Sequence, residues 1–91
     1  MIPQKFYMYE RLINDLYNDT IDKINETSNL DGLEGIYNIF CFTSDCYLNH
    51  FEYTMRCKRR TELINLIHSN HNKIRNLFLE KVRYTKNEQT N

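Results

Sequence analysis

The sequence lacks alanine and tryptophan altogether and has only one proline and two glycines among its 91 residues. Alanine is the strongest helix former, so any helices in this chain must be stabilised mainly by packing against one another. The missing and scarce residues have GC-rich codons. We therefore expect an AT-rich genome, such as that of a virus, an intracellular parasite or an AT-rich bacterium or phage.

Long hydrophobic runs are also missing. No stretch of 18 apolar residues exists, which excludes a membrane-spanning helix, and the N-terminus lacks the basic and apolar segments of a secretory signal. The cysteine count is three, and an odd number without a signal argues against a disulfide framework. We expect a small intracellular protein, cytoplasmic or nuclear, without membrane association.

Motifs for catalysis are absent as well. The chain has no glycine-rich phosphate loop, no G-x-S-x-G and no H-E-x-x-H. With so few glycines it also offers little material for an active-site lid. The sequence predicts a protein that is not an enzyme, takes no small-molecule substrate and needs no cofactor.

Charge is present but unevenly distributed. Residues 1–52 carry nine acidic and three basic residues, a net charge of −6, and residues 53–91 carry three acidic and nine basic residues, a net charge of +6. Two interpretations stay open. Either the acidic and basic halves fold against each other, or the basic half binds an acidic partner, which could be a protein or a nucleic acid.

Apolar periodicity predicts helices. Between residues 4 and 26, apolar residues recur every three or four positions, the pattern of one amphipathic helix: Phe6, Tyr9, Ile13, Leu16, Tyr17, Ile21 and Ile24. Asp31 followed by Glu34 resembles a capping box, and it predicts a short connecting helix over residues 33–42, with a strand at 36–42 as the alternative. Ser44 and Asp45 then resemble a new helix N-terminus.

No glycine or proline interrupts residues 44–84. A single helix of this length would extend far beyond a compact chain, so we expect a break in the polar run 68–72. This predicts helices at 44–68 and 72–85, with one uninterrupted rod as the alternative. The predicted fold is an all-α antiparallel bundle of three longer helices plus one short one, forming a single domain over 1–86 with a disordered tail at 87–91.

The stretch 41–60 contains every cysteine. On a helix, Cys46, His50, Tyr53 and Cys57 would share one face, and free cysteines are usually buried, so we predict that these thiols fill the core. The alternative is a small zinc-stabilised domain. Zinc requires four ligands, and two histidine- or cysteine-bearing turns could supply them: Cys46, His50, His68 and His71.

These observations together predict a protein–protein interaction module, a small accessory subunit or adaptor of a larger assembly, with a protein partner or a second copy. Aromatic and Met residues crowd the N-terminal helix, and Phe6, Tyr7, Met8 and Tyr9 are predicted to form the partner surface, rimmed by Arg56, Arg59 and Arg60. The alternative is a nucleic-acid-associated factor that uses basic residues of the second half: Lys58, Arg59, Arg60, Lys73 and Arg75.

Overall fold

Three long helices form an elongated antiparallel bundle. The computed structural model describes the backbone of residues 4–53 and 59–89 and the side chains of residues 6–52 and 59–87. In this part of the chain helix α1 spans Gln4–Glu26, α2 spans Leu30–Tyr53 and α3 spans Arg60–Gln89, with no strand. Each helix packs against the other two, in a body of 57 × 19 × 16 Å. The predicted all-α bundle is confirmed. None of these three helices combines the length and hydrophobicity that crossing a bilayer requires.

Helix α1 coincides with the predicted span 4–26. Its buried side chains follow a seven-residue spacing through Phe6, Ile13 and Thr20, which is the seam expected where helices pack at a shallow angle. Thr20 is polar, but its hydroxyl donates to the Leu16 carbonyl at 2.7 Å. The hydroxyl is thereby satisfied inside the core.

The turn between α1 and α2 is closed by side-chain caps. The Thr27 hydroxyl donates to the Lys23 carbonyl at 2.6 Å, and the backbone N–H of Gly32 donates to Asn29 Oδ1 at 2.6 Å. Asn29 is therefore the N-cap of α2, and the prediction that Asp31 caps this helix is wrong. Gly32 suits this turn because a Cβ there would lie 2.8 Å from Cγ2 of Thr27.

The predicted short connecting helix is not a separate element. Residues 33–42 are the first half of α2, which also excludes the strand alternative at 36–42. Ser44 does not start a new helix, because its side chain is buried on the same seam as Phe40 and Phe51. A residue on the buried seam of a continuing helix has no free helix end to cap.

The break in the second half lies elsewhere than predicted. Helix α2 ends at Tyr53 and α3 begins at Arg60, whereas 68–72 lies inside α3. Both the 44–68 and 72–85 helices and the single rod over 44–84 are therefore wrong. The polar run stays helical because the buried seam of α3 passes through it, with spacings of four, three and four: Leu63, Ile67, Asn70 and Ile74. Helix α3 also continues to Gln89, so residues 87–89 of the predicted disordered tail are helical.

The core has two apolar clusters separated by a polar layer. The end cluster contains Phe6, Ile13, Phe51, Leu63 and Ile67, and the turn cluster contains Ile24, Leu33, Phe40 and Ile74. Between them lie the buried Ser44 and Asn70, which line a cavity of about 10 Å³. Within the described part of the chain, Asn70 Nδ2 has no hydrogen-bond partner. The cavity is about the size that a single water molecule requires.

Candidate interaction surface

Two of the four N-terminal residues predicted to bind a partner pack inside the bundle instead, one in the core and one against it. Phe6 is only 2% exposed and belongs to the end cluster. The Tyr9 ring packs edge-on against Phe51, with a centroid distance of 5.1 Å, and its hydroxyl forms a 2.8 Å hydrogen bond with His50 Nε2. Phe6 and Tyr9 are the inward residues of the α1 seam. They are three residues apart, but the run of aromatic residues at this point in the sequence makes that helical spacing hard to recognise.

The other two residues of that group are exposed, but they do not form one patch. Tyr7 and Met8 are consecutive on α1 and therefore point about 100° apart around the helix. Tyr7 packs against Phe6 with their rings nearly perpendicular. Met8 instead precedes Leu12 and Leu16 at successive steps of four, so it continues the row that these two leucines form.

Helix α2 carries the most exposed apolar side chains. Ile39 is 67% exposed and Phe42 is 72% exposed, and their spacing of three places them on one side of the helix. Neither residue was predicted to bind a partner, because both lie in a segment whose sequence is apolar on most sides of a helix. One feature of the sequence does indicate their exposure. If Phe40 and Ser44 are on the buried side of α2, then Phe42, midway between them, lies on the opposite side of the helix.

A groove runs between α1 and α2 beside these residues. Its volume is about 100 Å³, and its walls are mainly apolar with one acid and one base at the rim: Leu16, Asp19, Thr20 and Lys23 from α1, and Ile36, Ile39 and Phe40 from α2. Leu12 and Met8 extend the α1 wall, because they lie one and two turns before Leu16. We define the α1/α2 face as Met8, Leu12, Ile39 and Phe42 together with this groove.

The described residues of the predicted basic rim contact other residues of the same chain. The Arg59 guanidinium donates to Glu62 Oε2 at 2.7 Å and lies over the Phe6 ring, 4.4 Å from its centroid. This hydrogen bond raises the pKa of Arg59 and lowers that of Glu62. Arg60 reaches the Glu52 carbonyl at 3.5 Å. Arg56 and Lys58 lie outside the described residues.

The remaining basic residues of the nucleic-acid alternative are far from this turn. The Lys73 ammonium lies 5.9 Å from the centroid of the Tyr17 ring, and Arg75 follows at an exposed position. Arg75 is 15 residues after Arg60, which is about 22 Å along α3. The structure therefore divides the proposed phosphate-contacting set into two separate groups.

The acidic half and the basic half of the chain pack against each other, but the contact is made by apolar side chains and not by ion pairs. The two ion pairs that join described side chains are local: Arg11 with Asp15 at 3.9 Å and Arg59 with Glu62 at 2.7 Å. Pairs of this exposed kind contribute little stability. Among the described side chains, no ion pair links α1 or α2 to α3.

The prediction that Cys46 and His50 face the core is wrong. Cys46 is exposed, because it follows the buried Ser44 by two residues and so lies on the opposite side of α2. His50 is exposed beside Tyr9. The alternative zinc ligands Cys46, His50, His68 and His71 are not brought together. Within residues 6–52 and 59–87, no three histidine, cysteine or acidic side chains are close enough to hold a metal ion. Cys57 lies outside these ranges.

A different thiol, that of Cys41, does contact an imidazole. Cys41 Sγ lies 3.3 Å from His71 Nε2, across the α2–α3 contact. Burial raises the pKa of Cys41 and, together with a hydrogen bond to Cys41, that of Tyr37, whose ring stacks on Phe78 at 4.4 Å. A raised thiol pKa disfavours the thiolate, which is the nucleophilic form. The geometry suits a packed hydrogen bond between two helices, and sequence analysis could not find it because it depends on how α2 and α3 are aligned.

The chain matches no protein-family model, no curated protein and no solved structure. Function must therefore be argued from the surfaces described above.

Proposed function

We propose that this protein is a non-enzymatic protein–protein interaction module, a small accessory subunit or adaptor, and that it binds through the α1/α2 face. The observation that carries the proposal is the clustering of exposed apolar side chains. Among the described residues seven large hydrophobic side chains are exposed, and four of them belong to this face: Met8, Leu12, Ile39 and Phe42. Several exposed large apolar side chains on one side of a protein are typical of interaction sites.

The groove supports the proposal by its size. Small-molecule sites usually enclose about 300–1,000 Å³, so a groove of this volume is too small for a typical ligand. About 100 Å³ is instead room for one apolar side chain or part of a ring supplied by another protein. The charged rim of Asp19 and Lys23 around an apolar floor is the composition expected of a protein interface.

The chemistry of the half-buried Cys41 thiol also supports a non-catalytic role. Cys41 contacts a histidine, but burial raises the pKa of its thiol, which disfavours the thiolate, and Cys41 lines neither the groove nor the polar-layer cavity. Catalytic cysteines are found in electropositive, partly exposed settings that lower the thiol pKa. Exposed Cys46 has no such hydrogen bond to an imidazole among the described side chains.

The test compares matched surface variants in co-purification from the protein's own source. Ile39→Asp places a charge in the α1/α2 face, and Leu79→Asp places the same charge at another exposed apolar position, on α3. We expect Ile39→Asp to lose the macromolecules that co-purify with the wild-type chain and Leu79→Asp to retain them. Equal recovery of the same set by all three chains would contradict the proposal.

A further inference from the structure

Acidic residues border the α1/α2 face along helix α1. The exposed row that begins with Met8 and Leu12 continues at alternating steps of three and four, and each further member is acidic: Asp15, Asp19, Asp22 and Glu26. Such steps keep residues on one side of a helix, so these carboxylates lie beside the groove that Leu16 lines. Arg11 pairs with Asp15 at 3.9 Å, whereas the other three acids form no ion pair with another described side chain.

Helix α2 borders the same face with acids of its own. Asp45 follows Phe42 by three residues and is exposed beside it. Glu34 precedes Phe42 by about two turns, Glu52 follows Asp45 by about two turns, and Asp31 precedes Glu34 by three residues. All four acids are exposed, and none forms an ion pair with another described side chain.

The charge of the face is therefore strongly one-sided. Helix α1 carries five acidic and three basic residues and α2 carries four acidic residues and no Lys or Arg, a net charge of −6 for the two helices. Helix α3, on the other side of the bundle, carries six basic and three acidic residues. The apolar groove thus lies on the acidic side of the molecule.

We propose that the α1/α2 face binds a basic amphipathic helix of another protein, with its apolar side chains in the groove and its Lys and Arg side chains against the two acidic borders. This inference rests on the proposed function and names the chemistry of the partner at the same face. Charge complementary to these borders speeds association and disfavours partners of the same sign.

The shape of the face fits a helix. The groove runs between two neighbouring helices, and a third helix laid along it contacts both, which is a common way for an amphipathic helix to be recognised. A strand-like peptide binds instead to the edge of a sheet, and the described part of this chain has no strand. Asp31 and Glu52 are about 32 Å apart along α2, so a partner helix of about 20 residues spans the acidic border.

The same observations argue against three other occupants. Nucleic acid has the same sign of charge as the borders. A second copy that presented its own α1/α2 face would place acidic residues against acidic residues. The α3 helix of a second copy is basic, but its regularly spaced apolar residues are already in the core. Its exposed large hydrophobic residues Leu79 and Tyr84 are five positions apart and so point about 140° apart.

Synthetic peptides test the proposal on the purified full chain. The probe is a fluorescein-labelled peptide of 18 Leu and Lys residues, about five helical turns, with Leu at steps of three and four. It is compared with the same peptide carrying Glu in place of Lys, and with a scrambled Leu/Lys peptide of identical composition. We expect fluorescence anisotropy to show binding of the Lys peptide and at least about 10-fold weaker binding of the other two. Equal affinity for the Lys and Glu peptides, or for the ordered and scrambled ones, would overturn the proposal.

Matched variants locate the binding site. Asp45→Lys should raise the dissociation constant of the Lys peptide about 5-fold, because it replaces an attraction by a repulsion beside Phe42. Glu80→Lys makes the same change in net charge at an exposed position of α3 and should change it less than about twofold. Ile39→Asp adds a negative charge but should still weaken binding about 10-fold, because it removes an apolar wall of the groove. Far-ultraviolet circular dichroism confirms that each variant is helical.

Equal losses with Asp45→Lys and Glu80→Lys, or tighter binding with Ile39→Asp, would show that the peptide senses charge alone and would overturn the inference. If the Lys peptide does not bind but Ile39→Asp still loses the co-purifying macromolecules, the proposed function stands and its partner is not a basic helix. If neither the peptide nor co-purification responds to Ile39→Asp, both proposals are overturned. Self-association of the wild type that both Ile39→Asp and Leu79→Asp abolish would make α3 of a second copy the occupant and overturn a partner from another protein.

Discussion

The two sides of α2 differ in how completely other helices cover them. On the α3 side Tyr37 stacks on Phe78 and Cys41 reaches His71, so aromatic and polar groups are both satisfied. On the outer side Ile39 and Phe42 are mostly exposed beside an open groove. One helix thus has one side completed by its own chain and one side left uncovered. The apolar residues of this segment therefore have two different roles: some form the core, and others form an exposed surface.

Two phenylalanines separated by one residue give the sharpest test of this difference. Phe40 is 2% exposed in the turn cluster and Phe42 is 72% exposed on the outer side of α2. Phe40→Ala should lower the free energy of unfolding by about 3–5 kcal/mol, because it leaves a cavity in the core. Phe42→Ala should change it by no more than about 0.5 kcal/mol.

Urea denaturation followed by tyrosine fluorescence measures both variants at the same protein concentration. Similar losses for the two variants would contradict the assignment of one side of α2 to the core and the other to the surface.

The two glycines of α2 provide a second test of this difference, with a smaller expected change in the free energy of unfolding. Gly35→Ala should stabilise the isolated fold by about 0.5–1 kcal/mol, because glycine is costly inside a helix and the new Cβ meets nothing. Gly32→Ala should destabilise it, because the Cβ would lie 2.8 Å from Thr27 Cγ2, and the Thr27 hydroxyl is fixed by its bond to Lys23. The same denaturation experiment measures both, and a gain in stability for Gly32→Ala would contradict the tight α1–α2 turn.

The two thiols on opposite sides of α2 give the smallest effect, a difference in labelling rate. In a Cys57→Ser chain, Cys46 should react with iodoacetamide several-fold faster than Cys41. Cys41 is half-buried, and its raised pKa leaves less of the reactive thiolate at pH 8. Because burial raises the pKa of Cys41, its labelling rate should keep rising with pH beyond the range in which an ordinary thiol ionises. Peptide mass spectrometry resolves the two sites, and equal rates at pH 8 would contradict the contact with His71.

Much of the fold could be predicted from the sequence, and one of the errors was avoidable. The core seam of α2, continued past Phe51 in alternating steps of three and four, would place four polar residues in the core: Thr54, Lys58, Thr61 and Asn65. The observed seam begins again at Leu63, out of phase with that continuation. This phase shift is visible in the sequence and marks the break between α2 and α3. The polar residues at 68–72 were a weaker signal, because helix propensity yields to tertiary packing.

The candidate surface was harder to predict for a physical reason. Four consecutive residues of α1 are apolar or aromatic: Phe6, Tyr7, Met8 and Tyr9. Which of them the other helices cover depends on which side of α1 faces the core. From the sequence Arg59 looks like an exposed charge available to a partner, yet its guanidinium stacks on Phe6 and donates a hydrogen bond to Glu62. Such contacts join residues far apart in the chain and have no local signature.

The sequence by itself determined the helical class, the span of α1 and the charge difference between the halves, because these follow from composition and from a period of 3.6 residues. Tertiary structure alone decided which helix flanks each side of α2, where the groove opens and that Cys41 meets His71. A helical seam specifies which residues point inward. It does not specify on which side the neighbouring helices lie, since the same three seams can be arranged around the core in either order, and only their packing selects one.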